Sequence, residues 1–350
     1  MELTSVEICT GAGGQALGLE KAGFAHHAVV EIDRHACETL RYNRSEWNVI
    51  EADLHGWAPS GYEGVDLLAG GVPCPPFSKA GRQLGGDDER DLFPVALDLV
   101  DAINPKAVML ENVRGLLDPK FTEYRSGVEK RLADRYQVAW KLLNASDFGV
   151  PQLRPRVIMV AIRNDQGAFS WPEPDVPVVT VGKALGKLMG RNGWEGAKDW
   201  AKKANRVAPT LVGGSKKHGG PDLGPTRARA AWLTLGVDGR TIAEEAPSAG
   251  FAGIPRLTVE MAARLQGFPP EWHFVGRKTH AYRQVGNAFP PPVAEAVGLQ
   301  IAQAIAGAAG KKKRPQAEIR TAREREFDAV AEVSPIDVQP KSPKGKRNVA

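Results

Sequence analysis

Residues 6–24 read VEICTGAGGQALGLEKAGF, and this stretch decides the fold of the chain. An apolar strand pattern precedes its glycines and a helix pattern follows them. Gly11, Gly13 and Gly14 allow the backbone to turn sharply and to approach a ligand closely. The start of the helix behind them favours a negatively charged group. No Gly-Lys-Ser/Thr follows, which excludes a P-loop, but the pattern is close to the dinucleotide fingerprint, so NAD binding stays open.

Apolar runs alternate with helix-like segments from this stretch to about residue 163. Seven runs predict strands: SVEIC, HHAVVEID, WNVIEADL, VDLLAGG, KAVMLENV, QVAWKLLNA and RVIMVAIR. Four intervening segments predict helices: GQALGLEKAGF, RHACETLRYN, DLFPVALDLVDAIN and TEYRSGVEKRLADRY. Strands that alternate with helices of this length form βαβ units. The sequence therefore predicts an α/β fold with a doubly wound, mostly parallel sheet.

Two acidic residues stand at the ends of predicted strands next to the glycine turn. Glu31 ends the run VVEID, where a carboxylate can accept from both ribose hydroxyls. Asp53 ends the run IEADL, where it can accept from an adenine amino group. With both acids so placed, an adenosine-containing ligand is a better interpretation than a glycine turn that only packs a helix on a strand.

A cysteine lies among prolines in residues 70–81, which read GGVPCPPFSKAG. Pro73, Pro75 and Pro76 fix φ and supply no backbone donor, so Cys74 is held at the end of a strand by a stiff turn. Such a thiol is either a packing group or an aimed nucleophile, and the stretch alone leaves both open.

The composition indicates a globular protein, with 42% hydrophobic and 25% charged residues among 350. No apolar stretch approaches the roughly 20 residues of a membrane span. The start, MELTSVEICTGAGG, lacks the pattern of a signal peptide. The three cysteines, Cys9, Cys37 and Cys74, form no metal-binding or disulfide pattern. We therefore expect a cytoplasmic protein without a bound metal, in which Cys9 and Cys37 are buried structural thiols.

Positive charge is concentrated in two segments. Residues 183–229 hold 11 Lys and Arg against 3 Asp and Glu, and residues 311–350 hold 11 against 6. A basic segment inside an otherwise acidic body indicates a face for a polyanion, although a solvated insertion would look the same. The texture also changes after residue 163, where Gly, Pro, Lys and Trp become frequent, which predicts a second, smaller, loop-rich domain.

Six blocks in a fixed order give the chain a resemblance to the DNA (cytosine-5) methyltransferases of the bacterial restriction–modification type. They are CTGAGGQALGLEKAGF, GGVPCPPFS, ENVRGLL, NASDFGVPQLRPRVIMVAIR, RLTVEMAARLQGFP and QVGNAFPPPVAEAVG. The resemblance implies a Rossmann-like fold for S-adenosyl-L-methionine-dependent methyl transfer. It implies a catalytic and cofactor-binding domain at residues 1–164 and a target-recognition domain at 165–270. The chain would return to the first domain at 271–310 and end in a basic, largely disordered tail at 311–350.

The resemblance also implies roles for the motif residues. Cys74 would add to carbon 6 of cytosine, Glu111 would protonate ring nitrogen 3, Arg156 would hold the carbonyl oxygen and Arg154 would steady the catalytic loop. Alternation predicts that the two arginines of QLRPR share one side of an extended segment. The implied cofactor-binding residues are Gly11, Gly13, Gly14, Glu31, Asp53, Pro73 and Asn287.

Duplex DNA is the substrate that the resemblance implies, with the target base rotated out of the helix. Residues 79–91 would form a lid over that base. We expect DNA contacts from Ser78, Arg90, Lys216, Lys217, Arg227 and Arg229. The protein would act as a monomer on DNA, associate with the nucleoid and share its site with a cognate restriction endonuclease.

Three departures from the family pattern bear on these expectations. Cys9 and Ile32 stand where aromatic side chains are usual, so adenine stacking is expected to be weaker. Glu260 and Met261 replace the usual Arg-Glu pair, which leaves the salt bridge of that block in question. The alternatives that remain are a tRNA cytosine methyltransferase with the same core, a nicotinamide-dependent oxidoreductase and an inert DNA-binding regulator.

Overall fold

Seven strands form one sheet in the computed structural model, which describes residues 2–73, 91–213 and 220–307. Their order across the sheet is β3-β2-β1-β4-β5-β7-β6. The strands are β1 (Leu3–Ile8), β2 (Phe24–Glu31), β3 (Val49–Glu51), β4 (Leu67–Gly70), β5 (Ala107–Val113), β6 (Tyr136–Asn144) and β7 (Pro155–Arg163). All seven predicted strands are confirmed.

The direction of the strands places a crevice beside β1. Strand β1 pairs in parallel with β2 and with β4, so the chain order reverses there. In open α/β sheets, ligands bind outside the carboxyl ends of the strands at this switch point. Only β7 runs opposite to its neighbours β5 and β6, and the sheet is mostly parallel as predicted.

Helices cover both faces of the sheet. Their bounds are α1 (Gly14–Lys21), α2 (Arg34–Asn43), α3 (Phe93–Ile103), α4 (Thr122–Leu132), α5 (Val181–Met189), α6 (Ala197–Lys203), α7 (Thr226–Leu233), α8 (Val259–Leu265), α9 (Lys278–Asn287) and α10 (Pro291–Ala306). Buried residues of α3 and α4 form one apolar cluster with the sheet, and those of α1 and α10 belong to another. The sheet is thus the middle of three layers.

Small residues allow α1 and α10 to approach closely. A Cβ on Gly18 would lie 2.4 Å from the carbonyl oxygen of Pro291 and 2.5 Å from the Cβ of Ala294. On the facing helix, a Cβ on Gly298 would lie 2.8 Å from the Cβ of Ala22. These contacts attach the returning chain to the helix that follows the glycine turn.

The segment between β7 and α8 has more helix than its weak periodicity predicted. It contains α5, α6 and α7, joined by irregular chain and isolated bridges. Val181, Trp200 and Trp232 from this segment share an apolar cluster with Met261 of α8 and with Leu17 of α1. Contacts group Met1–Ala309 as one compact unit, and the proposed domain boundaries at residues 165 and 271 stay predictions.

Two details differ from the expectations for the later blocks. The stretch YRQVGN was interpreted as a turn, but it forms the second half of α9, which ends at Asn287. Glu260 does form a salt bridge although its neighbour is not arginine. Arg191 donates to both of its carboxylate oxygens, at 2.5 and 2.7 Å. The partner therefore comes from the end of α5 rather than from the same block.

Within the described residues, no helix is both long and apolar enough to cross a membrane. The tail that was predicted from residue 311 onwards lies outside them.

Replacing Gly18 by alanine should destabilise the protein by about 1–3 kcal/mol, because the added methyl group overpacks the contact between α1 and α10. Gly127→Ala is the matched control, since Gly127 is exposed within α4 with open space around its Cα. That change should raise stability by up to about 1 kcal/mol. Urea denaturation of the three proteins measures both effects, and equal shifts would contradict the packing argument.

Candidate active site

A cavity of about 290 Å³ opens at the carboxyl ends of the strands, at the switch point of the sheet. Residues from β1, β2, the segments after β3 and β4, β5 and α9 line it. It brings together six of the residues singled out from the sequence: Gly11, Glu31, Asp53, Pro73, Glu111 and Asn287.

The three glycines of the turn do different work. Gly11 lines the cavity with φ of +58°. Gly13 has φ of +84°, and a Cβ there would lie 2.8 Å from both Leu40 and Trp272. A Cβ on Gly14 would lie 2.1 Å from the carbonyl oxygen of Phe289. Gly13 and Gly14 therefore permit close packing of α1, and Gly11 alone of the three contributes to the cavity surface.

Glu31 is held by the backbone around it. One carboxylate oxygen accepts from the Gly11 amide at 2.7 Å, and the other accepts from the amides of Ile32 and Asp33 at 2.9 and 2.8 Å. Burial raises the pKa of Glu31, and the three amide donors oppose that rise. The carboxylate thus fixes the glycine turn against the end of β2 while it lines the cavity.

The other side of the cavity mouth is more open. Asp53 is exposed, and its carboxylate accepts from the His55 amide at 3.0 Å. Ile32 lines the cavity with 62% of its surface exposed, which offers a flat ligand an apolar side chain in place of an aromatic ring. Cys9 also lines the cavity, so it is more than the buried structural thiol that was expected. Burial raises the pKa of that thiol strongly, which keeps it neutral.

Glu111 and Arg156 form a buried ion pair at the cavity. Arg156 Nε lies 2.8 Å from Glu111 Oε1, and the two side chains are 15% and 13% exposed. The antiparallel register of β5 and β7 brings them together, since Glu111 pairs with Ile158 and Val113 pairs with Arg156. Burial raises the pKa of Glu111, and the charges of Arg156 and Arg154 oppose the rise.

The second oxygen of Glu111 faces the segment that leads to the cysteine turn. A Cβ on Gly71 would lie 3.3 Å from Glu111 Oε2. Asn112 donates to the carbonyl oxygen of Val72 at 3.2 Å, which holds this segment beside β5. Pro73 is the last described residue before Cys74, so the predicted nucleophile follows directly from the cavity rim although Cys74 itself lies outside the described residues.

Arg154 points to a different place from Arg156. Its side chain is 1% exposed, and its guanidinium donates to the carbonyl oxygens of Leu211, Gly286 and Ala288 at 2.8 to 2.9 Å. Burial lowers the pKa of Arg154 well below its ordinary value. The contacts seen here join the recognition segment to the end of α9, rather than reaching the cavity.

Two glutamines that the sequence reasoning missed complete this junction. Gln152 accepts from the Leu211 amide at 2.7 Å and donates to Gln266 Oε1 at 2.5 Å. Gln266 in turn donates to the carbonyl oxygen of Ala288 at 2.5 Å. Both lie in blocks that carried the family resemblance, but nothing in their spacing indicated that they meet.

Glu7 and Gln15 were also missed, and they lie at the cavity itself. Glu7 is on β1 with no exposed surface, and Gln15 is on α1 with 3% exposed. Both line the cavity, and neither carboxylate oxygen of Glu7 nor either amide atom of Gln15 has a hydrogen-bond partner among the described residues. Burial raises the pKa of Glu7 well above its ordinary value. Its position within an apolar strand pattern hid it.

The predicted DNA-contacting residues are only partly described. Ser78, Arg90, Lys216 and Lys217 lie outside the described residues, as does the lid predicted at 79–91 apart from Asp91. Arg227 and Arg229 are on α7, where Arg227 is exposed and Arg229 is half-buried. The turn before α7 contacts the recognition segment, since a Cβ on Gly224 would lie 3.7 Å from Val212.

Sheet order, switch-point cavity and strand-end acids together define a Rossmann-like methyltransferase fold. Solved structures agree on the fold alone: the Spodoptera frugiperda DNMT2 structure, at 17% identity, has a TM-score of 0.59 and covers 86% of this chain and 99% of its own. The Schizosaccharomyces pombe Dnmt2 structure, at 16% identity, has the same TM-score over 86% and 98%.

Sequence comparison defines the family. The pattern of the C-5 cytosine-specific DNA methylases matches residues 3–303. The type II methyltransferase M.NaeI of Lentzea aerocolonigenes is 58% identical over 87% of this chain and 75% of its own length. M.NgoMIV of Neisseria gonorrhoeae is 56% identical over 87% and 99%. The chain belongs to the family of C-5 cytosine-specific DNA methylases, and it is an enzyme of that class.

Glu7→Gln should stabilise the ligand-free protein, and the gain should grow with pH. The pKa of Glu7 is higher in the folded chain than its unfolded value of about 4.3, so the folded state resists losing this proton. Below both pKa values the acid is neutral in either state and costs nothing. As the pH rises, the unfolded chain ionises first and wild-type stability falls, by about 1.4 kcal/mol for each pH unit up to the folded pKa.

Urea denaturation of wild type and Glu7→Gln at about pH 5 and about pH 8 tests this linkage. Glu123→Gln on the exposed face of α4 is the control, because that carboxylate is in solvent in both states. A difference between wild type and Glu7→Gln that stays constant with pH would contradict the assignment of a raised pKa.

Proposed function

We propose that the cavity binds S-adenosyl-L-methionine and that Cys74 at its rim methylates carbon 5 of cytosine in duplex DNA. The observation that carries this proposal is the Glu111–Arg156 pair, which stands at the cavity wall beside the segment that leads into Cys74. The pair supplies an acid and a cation where a cytosine ring has an acceptor nitrogen and a carbonyl oxygen. A nicotinamide enzyme has no use for that pair.

The residues of the cavity fit the methyl donor. Glu31 and Asp53 lie on the β2 and β3 side, where ribose hydroxyls and an adenine amino group require acceptors. Ile32 and Ala52 offer apolar surface for the adenine ring. Gly11, Pro73 and Asn287 complete the cofactor-binding residues that we assign, while Gly13 and Gly14 support the turn from behind. When bound, this cofactor supplies an electrophilic methyl group.

The protein then has to make carbon 5 a nucleophile. The Cys74 thiolate adds to carbon 6, and the electron pair displaced from the 5,6 double bond moves towards ring nitrogen 3. Glu111 donates a proton to that nitrogen, and Arg156 binds the adjacent carbonyl oxygen. Carbon 5 takes the methyl group, then loses its proton to a base, and the Cys74–carbon 6 bond breaks to restore the ring.

Burial prepares Glu111 for this step. A general acid has to be protonated when the base arrives, and burial raises the pKa of Glu111 in that direction. Arg156 opposes the rise while its guanidinium points to the carboxylate. A cytosine carbonyl oxygen competes for the same guanidinium, so base binding weakens the ion pair and favours the protonated acid. We assign Arg154 a positioning role, because its printed contacts are backbone carbonyls.

The target base has to leave the DNA helix to reach this cavity. We propose that residues 165–270 form the recognition domain and that Ser78, Arg90, Lys216, Lys217, Arg227 and Arg229 contact the DNA. The 11 Lys and Arg of residues 183–229 supply the phosphate-binding charge. A DNA substrate rather than tRNA follows the description of the family.

The biological setting is part of the same proposal. Relatives at 58% and 56% identity are type II methyltransferases. By analogy we infer that this chain protects host DNA within a restriction–modification system, as a cytoplasmic, nucleoid-associated monomer whose cognate endonuclease acts on the same site.

Cys74→Ser should abolish transfer of labelled methyl groups from S-adenosylmethionine to duplex DNA, because a hydroxyl is a far poorer nucleophile than a thiolate. Cys37→Ala is the matched control, since Cys37 is buried on α2 and should leave transfer intact. Parallel assays with tRNA compare the two substrates, and bisulfite sequencing identifies the modified base. Transfer that survives in Cys74→Ser, or label that appears on tRNA instead of DNA, contradicts the proposal.

Glu111→Gln should lower the methylation rate roughly 100-fold or more, because an amide cannot deliver a proton to ring nitrogen 3. Binding of S-adenosylhomocysteine should be nearly unchanged, which separates loss of the acid from loss of the cavity. Glu123→Gln, on the exposed face of α4, serves as the control. A Glu111→Gln enzyme with the wild-type rate would remove Glu111 from proton transfer.

A further inference from the structure

The unpartnered atoms of Glu7 and Gln15 are the strongest sign of a specific ligand in the cavity. Both side chains are at least nine-tenths buried and both line the cavity wall. Four polar atoms, two on each side chain, have no hydrogen-bond partner among the described residues. Each buried polar group left in this state costs about 1–3 kcal/mol, so native proteins keep such groups where a ligand completes them.

The position of the two residues matches one arm of the proposed cofactor. A sulfonium centre carries three arms: the adenosyl group, the methyl group and the aminocarboxypropyl chain. The adenosyl arm is assigned to the side of Glu31 and Asp53, and the methyl group faces the side of Pro73 and Glu111. Strand β1 lies between β2 and β4, so Glu7 and the start of α1 remain for the third arm.

The chemistry of the pair also matches that arm. The aminocarboxypropyl chain ends in an ammonium group, which needs acceptors and a negative charge, and a carboxylate, which needs donors. Glu7 offers two acceptor oxygens, and Gln15 offers an amide donor. Gln15 is on the first turn of α1, where backbone amides and the helix dipole also favour an anion.

We propose that Glu7 and Gln15 form the subsite for the amino-acid end of the methyl donor. Glu7 accepts from the α-ammonium group, and Gln15 donates through its side-chain amide to the α-carboxylate. This inference rests on the proposed function, because it names residues that bind one part of the assigned cofactor.

Two ligands that differ only in this arm test the subsite. S-Adenosylhomocysteine carries the amino-acid end, whereas 5′-methylthioadenosine keeps the adenosyl thioether and lacks it. Isothermal titration calorimetry should show that Glu7→Gln and Gln15→Met each weaken S-adenosylhomocysteine binding by roughly tenfold or more. Neither variant should change binding of 5′-methylthioadenosine by more than about twofold.

Asp53→Asn is the contrasting variant, because it alters the adenosyl side of the cavity. It should weaken both ligands by a similar factor. If Glu7→Gln does not fold, the ratio of the two affinities in Gln15→Met decides the question. Equal losses for the two ligands in Gln15→Met, or no loss for S-adenosylhomocysteine, would overturn the subsite. Failure of the wild type to bind either ligand would instead overturn the assignment of the cofactor itself.

Discussion

The buried guanidinium of Arg154 is the constraint on which the arrangement of the cavity depends. It donates to the carbonyl oxygens of Leu211, Gly286 and Ala288, which belong to two distant segments of the chain. A buried charge persists only where its donors find partners, so these segments cannot drift apart without leaving the cation unpaired. Asn287 lies between two of the acceptors, and this tie therefore fixes its place on the cavity wall.

The same tie brings the recognition segment against the cofactor site. A Cβ on Gly213 would lie 2.5 Å from Asn287 Oδ1, and a Cβ on Gly286 would lie 2.4 Å from the Gly213 amide nitrogen. Two glycines thus allow the backbone after Leu211 to touch the end of α9. Because no gap separates these segments, a shift of the recognition segment on DNA displaces the wall that carries Asn287.

The layers of the fold were readable from the sequence, whereas the contacts across the site were only partly so. Seven apolar runs bounded by turn residues identified every strand, because burial on both faces leaves a continuous apolar signal. Cys74, Glu111 and the strand-end acids came from motifs, and for Glu31, Asp53 and Glu111 the structure shows a common cavity. Helix α5 was missed because three of its nine residues before Met189 are lysine or glycine spaced without a clear stripe.

Residue spacing also misled at one point, for a definable reason. Alternation placed Arg154 and Arg156 on one side, yet β7 begins only at Pro155, so Arg154 stands before the regular strand. Its side chain turns to the carbonyls of the junction, and Arg156 turns to Glu111. The salt bridge of Glu260 shows the converse, since its partner Arg191 is 69 positions away and no local pattern could have indicated it.

Glu7 and Glu111 show how the fold and the chemistry make opposite demands on a carboxyl group. Burial raises the pKa of both, and for both it penalises the charged form. Glu111 has Arg156 beside it, so a base that binds the arginine also changes the state of the acid. Glu7 has no such cation among the described residues, and only a positively charged group entering the cavity can favour its ionised form. The ligand-free protein therefore carries the cost of a buried acid at a position where apolar packing would stabilise it more, which is the pattern expected when a residue serves binding rather than folding.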